Sequence, residues 1–284
     1  MIIIAFIKLK SMKKLLITVL ITTIALGINA QEAAEKKVLA GISLGTGMNF
    51  NNPQTNAIDS KVGADFIAGM AIDWHFSNNI ALSTGLEFEF NRFRHEFKEP
   101  TLFEYNDKEI AQRGNSDDDN FNATPEGSFS LEERRYRNIY LTLPVMLRFQ
   151  TGYMGYLRYF GKFGLRNNFL LQTRGDNFGN DLASDKSELE DMRIPGDLSF
   201  YKGSIGLSVG AEWNFAGSTV LVGEIGYYYG FTEIHQQDAI TGDEDKNRSL
   251  YIDNDGDNEI KVDREYFSPG AKQGQLHLKA TILF

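Results

Sequence analysis

The sequence predicts an all-β chain, an eight-stranded antiparallel up-and-down transmembrane β-barrel with four long external loops. Three observations carry that expectation: eight long segments alternate apolar with small or polar residues, the connections between them are alternately long and tight, and the last segment ends on an aromatic residue, Phe284. From Tyr201 to Phe215 one face reads Tyr201, Gly203, Ile205, Leu207, Val209, Ala211, Trp213, Phe215, and the other reads Lys202, Ser204, Gly206, Ser208, Gly210, Glu212, Asn214. Successive side chains of a strand point to opposite faces, so this is a strand with one oily and one polar side. The same split recurs in Ala40–Phe50, Phe66–Phe76, Ile80–Phe90, Ile139–Gln150, Leu157–Leu171, Leu221–Phe231 and Leu276–Phe284. Strands of soluble proteins usually run about 5–6 residues, whereas a tilted strand crossing a bilayer needs about 9–11. These segments match the second length.

The connections are tight at Ser77-Asn78-Asn79, Thr151–Gly155 and Ala216-Gly217-Ser218, and long and polar at Asn51–Val62, Arg94–Arg137, Gln172–Phe200 and Thr232–Gln273. Bacterial barrels have short periplasmic turns and longer outer loops, and an even strand count puts both ends on the periplasmic side. Aromatic residues gather toward the ends of the apolar faces: Phe50, Trp74, Phe76, Phe88, Phe90, Phe149, Tyr201, Trp213, Phe215, Tyr229 and Phe231. A lipid-facing wall carries such belts at its two borders. A soluble sandwich or lipocalin-like barrel would show the same alternation with the apolar face turned inward. The last segment favours the membrane reading, with Leu276, Leu278, Ala280, Ile282 and Phe284 on one face.

A mean hydropathy of −0.31 excludes a helical membrane bundle, which needs several apolar runs of about 20 residues. The N-terminus holds a different signal. Met12-Lys13-Lys14 is a short basic stretch, Leu15–Ile28 is almost wholly apolar, and Gly27 and Ala30 precede Gln31. That order is a secretory signal peptide over residues 1–30, cleaved after Ala30, with Met12 an alternative start. Residues 31–37 then form a short periplasmic segment and 38–284 the barrel. There is no cysteine, so no disulfide, thiolate metal site or cysteine-linked lipid enters the expectation. Removing the four lysines of residues 1–30 leaves 25 basic against 38 acidic residues, a formal charge of −13, which argues against nucleic acid as a partner.

The polar faces carry the candidate site. Gly41, Ser43, Gly45 and Gly47 line one of them, and Asp73, Glu87, Glu89, Arg148, Arg158, Lys162, Arg166, Lys202, Glu212, Glu224 and Lys279 spread over the others. An eight-stranded barrel is just wide enough to be filled by side chains, and charges inside it must pair. The expected outcome is a lumen charge network acting as a structural plug with negligible steady conductance; the alternative is a narrow polar pore. His75, His95, His235 and His277 show no spacing that joins them to a nucleophile or to one another, which makes a rim-located lipid-modifying or proteolytic enzyme a distant alternative. Two acidic stretches stand out in the long connections, Asn115–Asn120 and Asp253–Glu259. Asp253, Asp255, Asp257 and Glu259 alternate around Gly256 and suit Ca²⁺, although Gly256 falls at the fourth position and no glutamate at the twelfth, unlike an EF-hand loop. A solvated acidic loop is the plainer reading. Arg174-Gly175-Asp176 matches a cell-adhesion tripeptide but is also ordinary turn chemistry.

Ile139–Phe149, with Pro144 in mid-strand and Arg148 following, and Tyr159–Leu171, with Gly161 and Gly164, resemble the PorT-like outer-membrane β-barrel family of Bacteroidota, as does the Ala30-Gln31 junction. The resemblance covers residues 35–284 and implies a small barrel exported to the outer membrane. It also implies a part in protein secretion; the long acidic loops are not part of that pattern. Pro144 lacks the N–H of an interior strand and should mark a bulge or a break in the ladder. The functional expectation is a non-enzymatic barrel whose outer loops meet surface partners, with an accessory role in secretion or narrow-pore transport as the alternative. Its partners are the outer-membrane bilayer and the barrel-assembly machinery, which would read Phe284; no cofactor is expected beyond calcium in an outer loop.

Overall fold

A computed structural model describes residues 37–106, 109–110, 128–181, 184–194, 196–216, 219–235, 251–253, 264–266 and 270–284. Eight strands form the wall: β1 (Val38–Pro53), β2 (Ile58–His75), β3 (Ile80–Asn106), β4 (Ser128–Gln150), β5 (Leu157–Asp181), β6 (Tyr201–Ala216), β7 (Thr219–Gly230) and β8 (Ala271–Leu283). Each pairs antiparallel with the next in sequence, and β8 returns to β1 from Gly41↔Leu283 to Pro53↔Ala271. The ring of hydrogen bonds is closed, so no strand edge faces lipid. The signal segment 1–30 and residues 31–36 lie outside the described residues.

Exposed side chains on the outer surface are apolar through a band. Trp74, Phe76, Phe149, Tyr153, Tyr156 and Trp213 ring its lower border, and Phe50, Phe66, Phe90, Tyr227, Tyr229 and Phe231 its upper one. From Ile80 to Phe90 on β3 the chain rises roughly 33 Å, which at a tilt of 35–45° gives about 25 Å of lipid-facing height. The lower turns are compact. Ser77 Oγ accepts the backbone N–H of Ile80 at 3.2 Å, and Gly155 closes the next turn at φ 66, a left-handed conformation that glycine adopts at no steric cost.

The upper side departs from the loop reading. β3, β4 and β5 run for 27, 23 and 25 residues, far past the aromatic belt, while β7 and β8 have 12 and 13. Much of Asn51–Val62, Arg94–Arg137 and Gln172–Phe200 is paired strand rather than loop; only residues 54–57 separate β1 from β2. These stretches read as polar because their outward faces are charged. Their inward faces remain apolar: Phe93, Phe97, Leu131 and Tyr136 are buried and join Ile58, Phe129, Leu189, Met192, Ile194, Leu198 and Ile234 in one cluster. A short strand, Glu188–Arg193, lies along the outer end of β5, and another, Tyr251–Asp253, along β3. The barrel therefore carries a cap with its own hydrophobic core.

Pro144 interrupts the ladder without a bulge. Pairing of β3 with β4 passes from Thr84↔Val145 to Glu87↔Thr142 in unchanged register, and Thr84 Oγ1 donates to the Pro144 carbonyl at 2.8 Å. One register shift, Asn214/Ala216, lies at the lower end of β6; the others lie at or above the upper border, at Lys61/Ala64, Glu96/Thr101, Leu131/Glu133, Ile139/Tyr140 and Gly175/Asn177. There they bend the strands into the cap.

Candidate functional site

The lumen is built in tiers from inward-facing positions of all eight strands. At the lower end Arg148 Nη1 donates to Asp73 Oδ2 at 2.6 Å, Ser83 Oγ donates to the same carboxylate, and Arg148 also pairs with Glu212. Arg158 grips Glu212 from the other side, with Nε to Oε2 at 2.6 Å. In the middle tier Lys162 meets Glu224 at 2.6 Å and Lys279 meets Glu87 at 2.8 Å. Arg166 forks between Glu87 and Glu89 at 2.8 and 2.9 Å, and Lys202 reaches Glu89 at 3.0 Å. Rings cover the cations: Arg148 lies over Phe160 at 4.0 Å, Arg166 over Tyr228 at 5.0 Å, and Lys202 over Tyr140 at 4.4 Å. Gly45 and Gly47 make room for this content, since a Cβ on them would run into Lys279 Cγ at 2.6 Å and His277 Cδ2 at 2.4 Å.

Every charged residue expected in the lumen thus has an opposite charge beside it. The sequence reading left Asp65 out of this network. Asp65 is buried and held by neutral groups: the side-chain amides of Asn49 and Asn91 each donate at 2.7 Å, Gln275 donates at 3.1 Å, and His277 Nε2 stands 3.3 Å away. It shares the alternation of Ile67 and Asp73, so the pattern contained it; only the choice of segment start at Phe66 left it out. Among the described residues six carboxylates (Asp65, Asp73, Glu87, Glu89, Glu212, Glu224) now face six cations (Arg148, Arg158, Lys162, Arg166, Lys202, Lys279), and these charges balance. Burial of so many charges is tolerated only through such pairing.

Above the lumen, the cap core encloses a second polar cluster. His95 on β3 and His235 beyond β7 bring their Nε2 atoms to 3.1 Å across 140 positions of sequence. His235 Nδ1 lies 3.3 Å from Asp197 Oδ1, and Tyr136 donates its hydroxyl to Asp197 Oδ2 at 2.8 Å. Arg134 approaches the same oxygen at 3.5 Å and donates through Nε to Asn177 at 2.6 Å. Phe93 stacks on Tyr136 with ring centroids 4.5 Å apart. Burial alone would raise the Asp197 carboxyl, but the hydrogen bond and charge of His235, with Arg134 and the Tyr136 hydroxyl, hold it well below the usual carboxylate range. Burial, reinforced by His235, pushes His95 well below its ordinary 6.5, and burial beside Asp197 pushes the Tyr136 phenol up.

The carboxylate–imidazole–imidazole chain has the residue types of acid–base chemistry, yet among the described residues His95 and His235 are 0% and 1% exposed and turn no open surface to a substrate. No spacing along the chain announces a pair that only the fold creates. Among the described residues, no group of three or more His, Asp or Glu is placed to share a metal ion. Asp253 ends its short strand, and Asp255, Asp257 and Glu259 lie outside the described residues, as does Asn115–Asn120. Arg174-Gly175-Asp176 sits within β5 rather than on a presented loop, and a Cβ on Gly175 would meet Ile194 Cδ1 at 2.3 Å.

No curated protein matches the chain by sequence. Among solved structures it is similar to Neisserial surface protein A (8% identity, TM-score 0.33, covering 87% of this chain and 97% of that one). It is similar also to the outer membrane protein OprG of Pseudomonas aeruginosa (10%, 0.34, 87% and 92%) and to the outer membrane protease OmpT of Escherichia coli (10%, 0.33, 89% and 99%). The profile of one family, described as outer membrane protein beta-barrel domain, matches residues 29–236. The closed strand ring, its lipid-facing belt and this match agree: the chain belongs to the outer membrane protein β-barrel domain family and resides in the outer membrane.

Proposed function

We propose that the protein is a non-enzymatic, non-conducting barrel whose membrane part anchors a cap that meets ligands, cations or other surfaces outside the cell. The observation that carries this reading is the tiered lumen, in which Arg148, Arg158, Arg166, Lys162, Lys202 and Lys279 are tied to carboxylates across the bore beneath an apolar cap core. Moving any of these side chains aside to admit ions would leave a buried charge unpaired, at a cost of about 3–5 kcal/mol. Reconstitution in a planar bilayer should give no stable ohmic channel; large, steady conductance would overturn the proposal.

The acidic stretches Asn115–Asn120 and Asp253–Glu259 are the proposed contact elements, with Asp253, Asp255, Asp257 and Glu259 the candidate Ca²⁺ ligands. Calcium titration by calorimetry tests this; a titration without heat ends the calcium reading. Cleavage after Ala30, measured as a mature N-terminus at Gln31, and recognition of Phe284 by the assembly machinery belong to the same proposal. The PorT-like resemblance of Ile139–Phe149 supports a second reading, an accessory role in protein secretion. Deleting the gene and following exported proteins separates the two, since unchanged export sinks the secretion role.

A further inference from the structure

Four arginines stand side by side where the apolar band ends. Arg92 on β3 is the cross-strand partner of Arg137 on β4, Arg137 of Arg174 on β5, and Arg174 of Arg193 on the short strand Glu188–Arg193. With neighbouring strands about 4.8 Å apart, the row runs roughly 14 Å around the barrel. It lies on the outer surface, because the inward residues beside it (Phe93, Tyr136, Gly175 and Met192) are buried. One step toward the bilayer, the same surface carries Phe90, Ile139 and Gln172, and the adjoining bulge turns Leu171 outward as the last apolar residue of the band on β5. The row therefore occupies the level at which hydrocarbon gives way to headgroups.

Like charges placed directly across strands repel and are destabilising. The chain offsets this only in part. Arg137 pairs with Asp176 at 2.7 Å and Asp191 at 3.3 Å, and Arg174 lies 3.8 Å from Asp191. Asp191 takes that position at φ 56, its N–H donating to Asp176 Oδ1 at 2.9 Å. Among the described side chains two carboxylates thus serve four guanidinium groups, and beyond Arg193 the next strand places Glu109 in register with it. Among the described residues no ion pair reaches Arg92 or Arg193, both exposed, and Arg137 Nε is buried without a hydrogen-bond partner. The next row outward differs: Arg94 pairs with Glu96 at 3.3 Å and Arg135 with Glu133 at 2.5 Å. Among the described side chains, the row at the lipid border carries fewer anions than cations.

We propose that Arg92, Arg137, Arg174 and Arg193 form a docking row for the phosphate groups of outer-leaflet lipid headgroups. The guanidinium fork matches phosphate oxygens two at a time. Lipid phosphates lie at the height of the row, and several neighbouring arginines can hold the phosphates of one glycolipid or of two adjacent lipids. The repulsion built into the row is then relieved by the membrane itself.

The test uses the full chain folded in detergent, with bisphosphorylated lipid A as probe and native mass spectrometry to count bound lipid. Folding of each variant is checked by its heat-dependent gel shift. Arg92→Gln with Arg193→Gln removes two side chains that hold no ion pair, so the fold should survive, and retention should fall about 25-fold, roughly fivefold for each arginine. Arg94→Gln with Arg135→Gln should stay within about twofold of the parent. Chemically dephosphorylated lipid A should bind poorly to every form, and inorganic phosphate at equal concentration should leave no adduct. Three results would overturn the proposal: unchanged retention by the folded Arg92/Arg193 variant, equal binding of dephosphorylated lipid A, or retention of inorganic phosphate in place of the lipid.

Discussion

Below Phe90 the strands turn charge inward and carbon outward; above it the same strands do the reverse. One face of β3 reads Glu87, Glu89, Asn91 and then Phe93, His95, Phe97, all of them buried. Its other face passes from Leu86 and Phe90, both exposed, to Arg92, Arg94 and Glu96. On β4 the outward run Leu147, Val145, Leu143 gives way to Arg137 and Arg135. On β3 and β4 the inward parity does not change at this border, so strand geometry does not decide which face is apolar. The surroundings do: lipid outside favours carbon there, and water outside favours charge there. The interior follows by necessity, holding paired charge in the lumen and packed rings in the cap.

The largest effect should come from breaking one charge at the centre of the lumen. Arg166→Met leaves Glu87 and Glu89 with one cation each, Lys279 and Lys202, and one buried negative charge uncompensated, and should lower stability by about 3–5 kcal/mol, measured by denaturant unfolding in detergent micelles. Adding Glu87→Gln alone should recover most of the loss, because it restores the balance of buried charge, leaving Glu89 with Lys202 and Lys279 near Glu224. A loss under about 1 kcal/mol for Arg166→Met alone would show that water reaches the lumen and that the contrast with the cap is overdrawn.

The matching change in the cap is Phe93→Ala, which removes a fully packed ring against Tyr136. It should cost about 3 kcal/mol, felt locally. Limited proteolysis within residues 184–200 should speed up while the gel shift of the folded barrel stays put. If the barrel melts earlier by the same amount, cap and barrel are one cooperative unit, and the border at Phe90 divides chemistry but not folding.

Acid separates the regions further. His95 in the folded cap sits well below its ordinary 6.5, so between those two values the unfolded cap binds a proton that the folded one refuses. Its contribution is complete above about pH 6.5 and is lost as pH falls from there, at up to about 1.4 kcal/mol per pH unit. Asp197, held below 3.8, keeps its contribution until far lower pH. The groups facing His95 are His235, Asp197, Arg134 and Tyr136, and of these only the Asp197 carboxylate would welcome the extra proton. Proteolysis of the cap should therefore quicken between pH 6.5 and 5, and His95→Gln should flatten that dependence. A cap equally resistant at both values would mean that the imidazole pair takes up its proton without opening.

Much of the lumen was legible in the sequence, for a physical reason. Alternation places Glu87, Arg148 or Lys279 on the polar side of a strand whatever its neighbours are, and lipid requires that side to be inward. The cap was not legible in the same way. Arg92, Arg94 and Glu96 made their segment look like a loop, and the inward Phe93, His95 and Phe97 between them signify a core only once strands from four distant segments enclose them. The histidine pair joins residues 140 positions apart, and the arginine row depends on the register of four strands, which bulges shift. Pattern within one strand can be read from sequence; registration between strands cannot.

The smallest of these effects concerns how each region holds a single carboxylate. Tyr136→Phe removes one neutral donor from Asp197 and leaves His235 and Arg134 in place. Ser83→Ala does the same to Asp73, which keeps Arg148. Each should cost about 1–2 kcal/mol, a hydrogen bond to a charged group with other partners still present. The readouts should differ even so. Loss of the Tyr136 hydroxyl should speed cap proteolysis and shift its pH dependence, because the imidazole chain ends on the carboxylate that Tyr136 helps to hold. Loss of the Ser83 hydroxyl should lower the unfolding midpoint of the whole ring and leave cap proteolysis alone, because each lumen tier is anchored in strands whose hydrogen bonds run around the full circumference. Identical readouts for the two would erase the border at Phe90 as a boundary of stability and leave it a boundary of polarity alone.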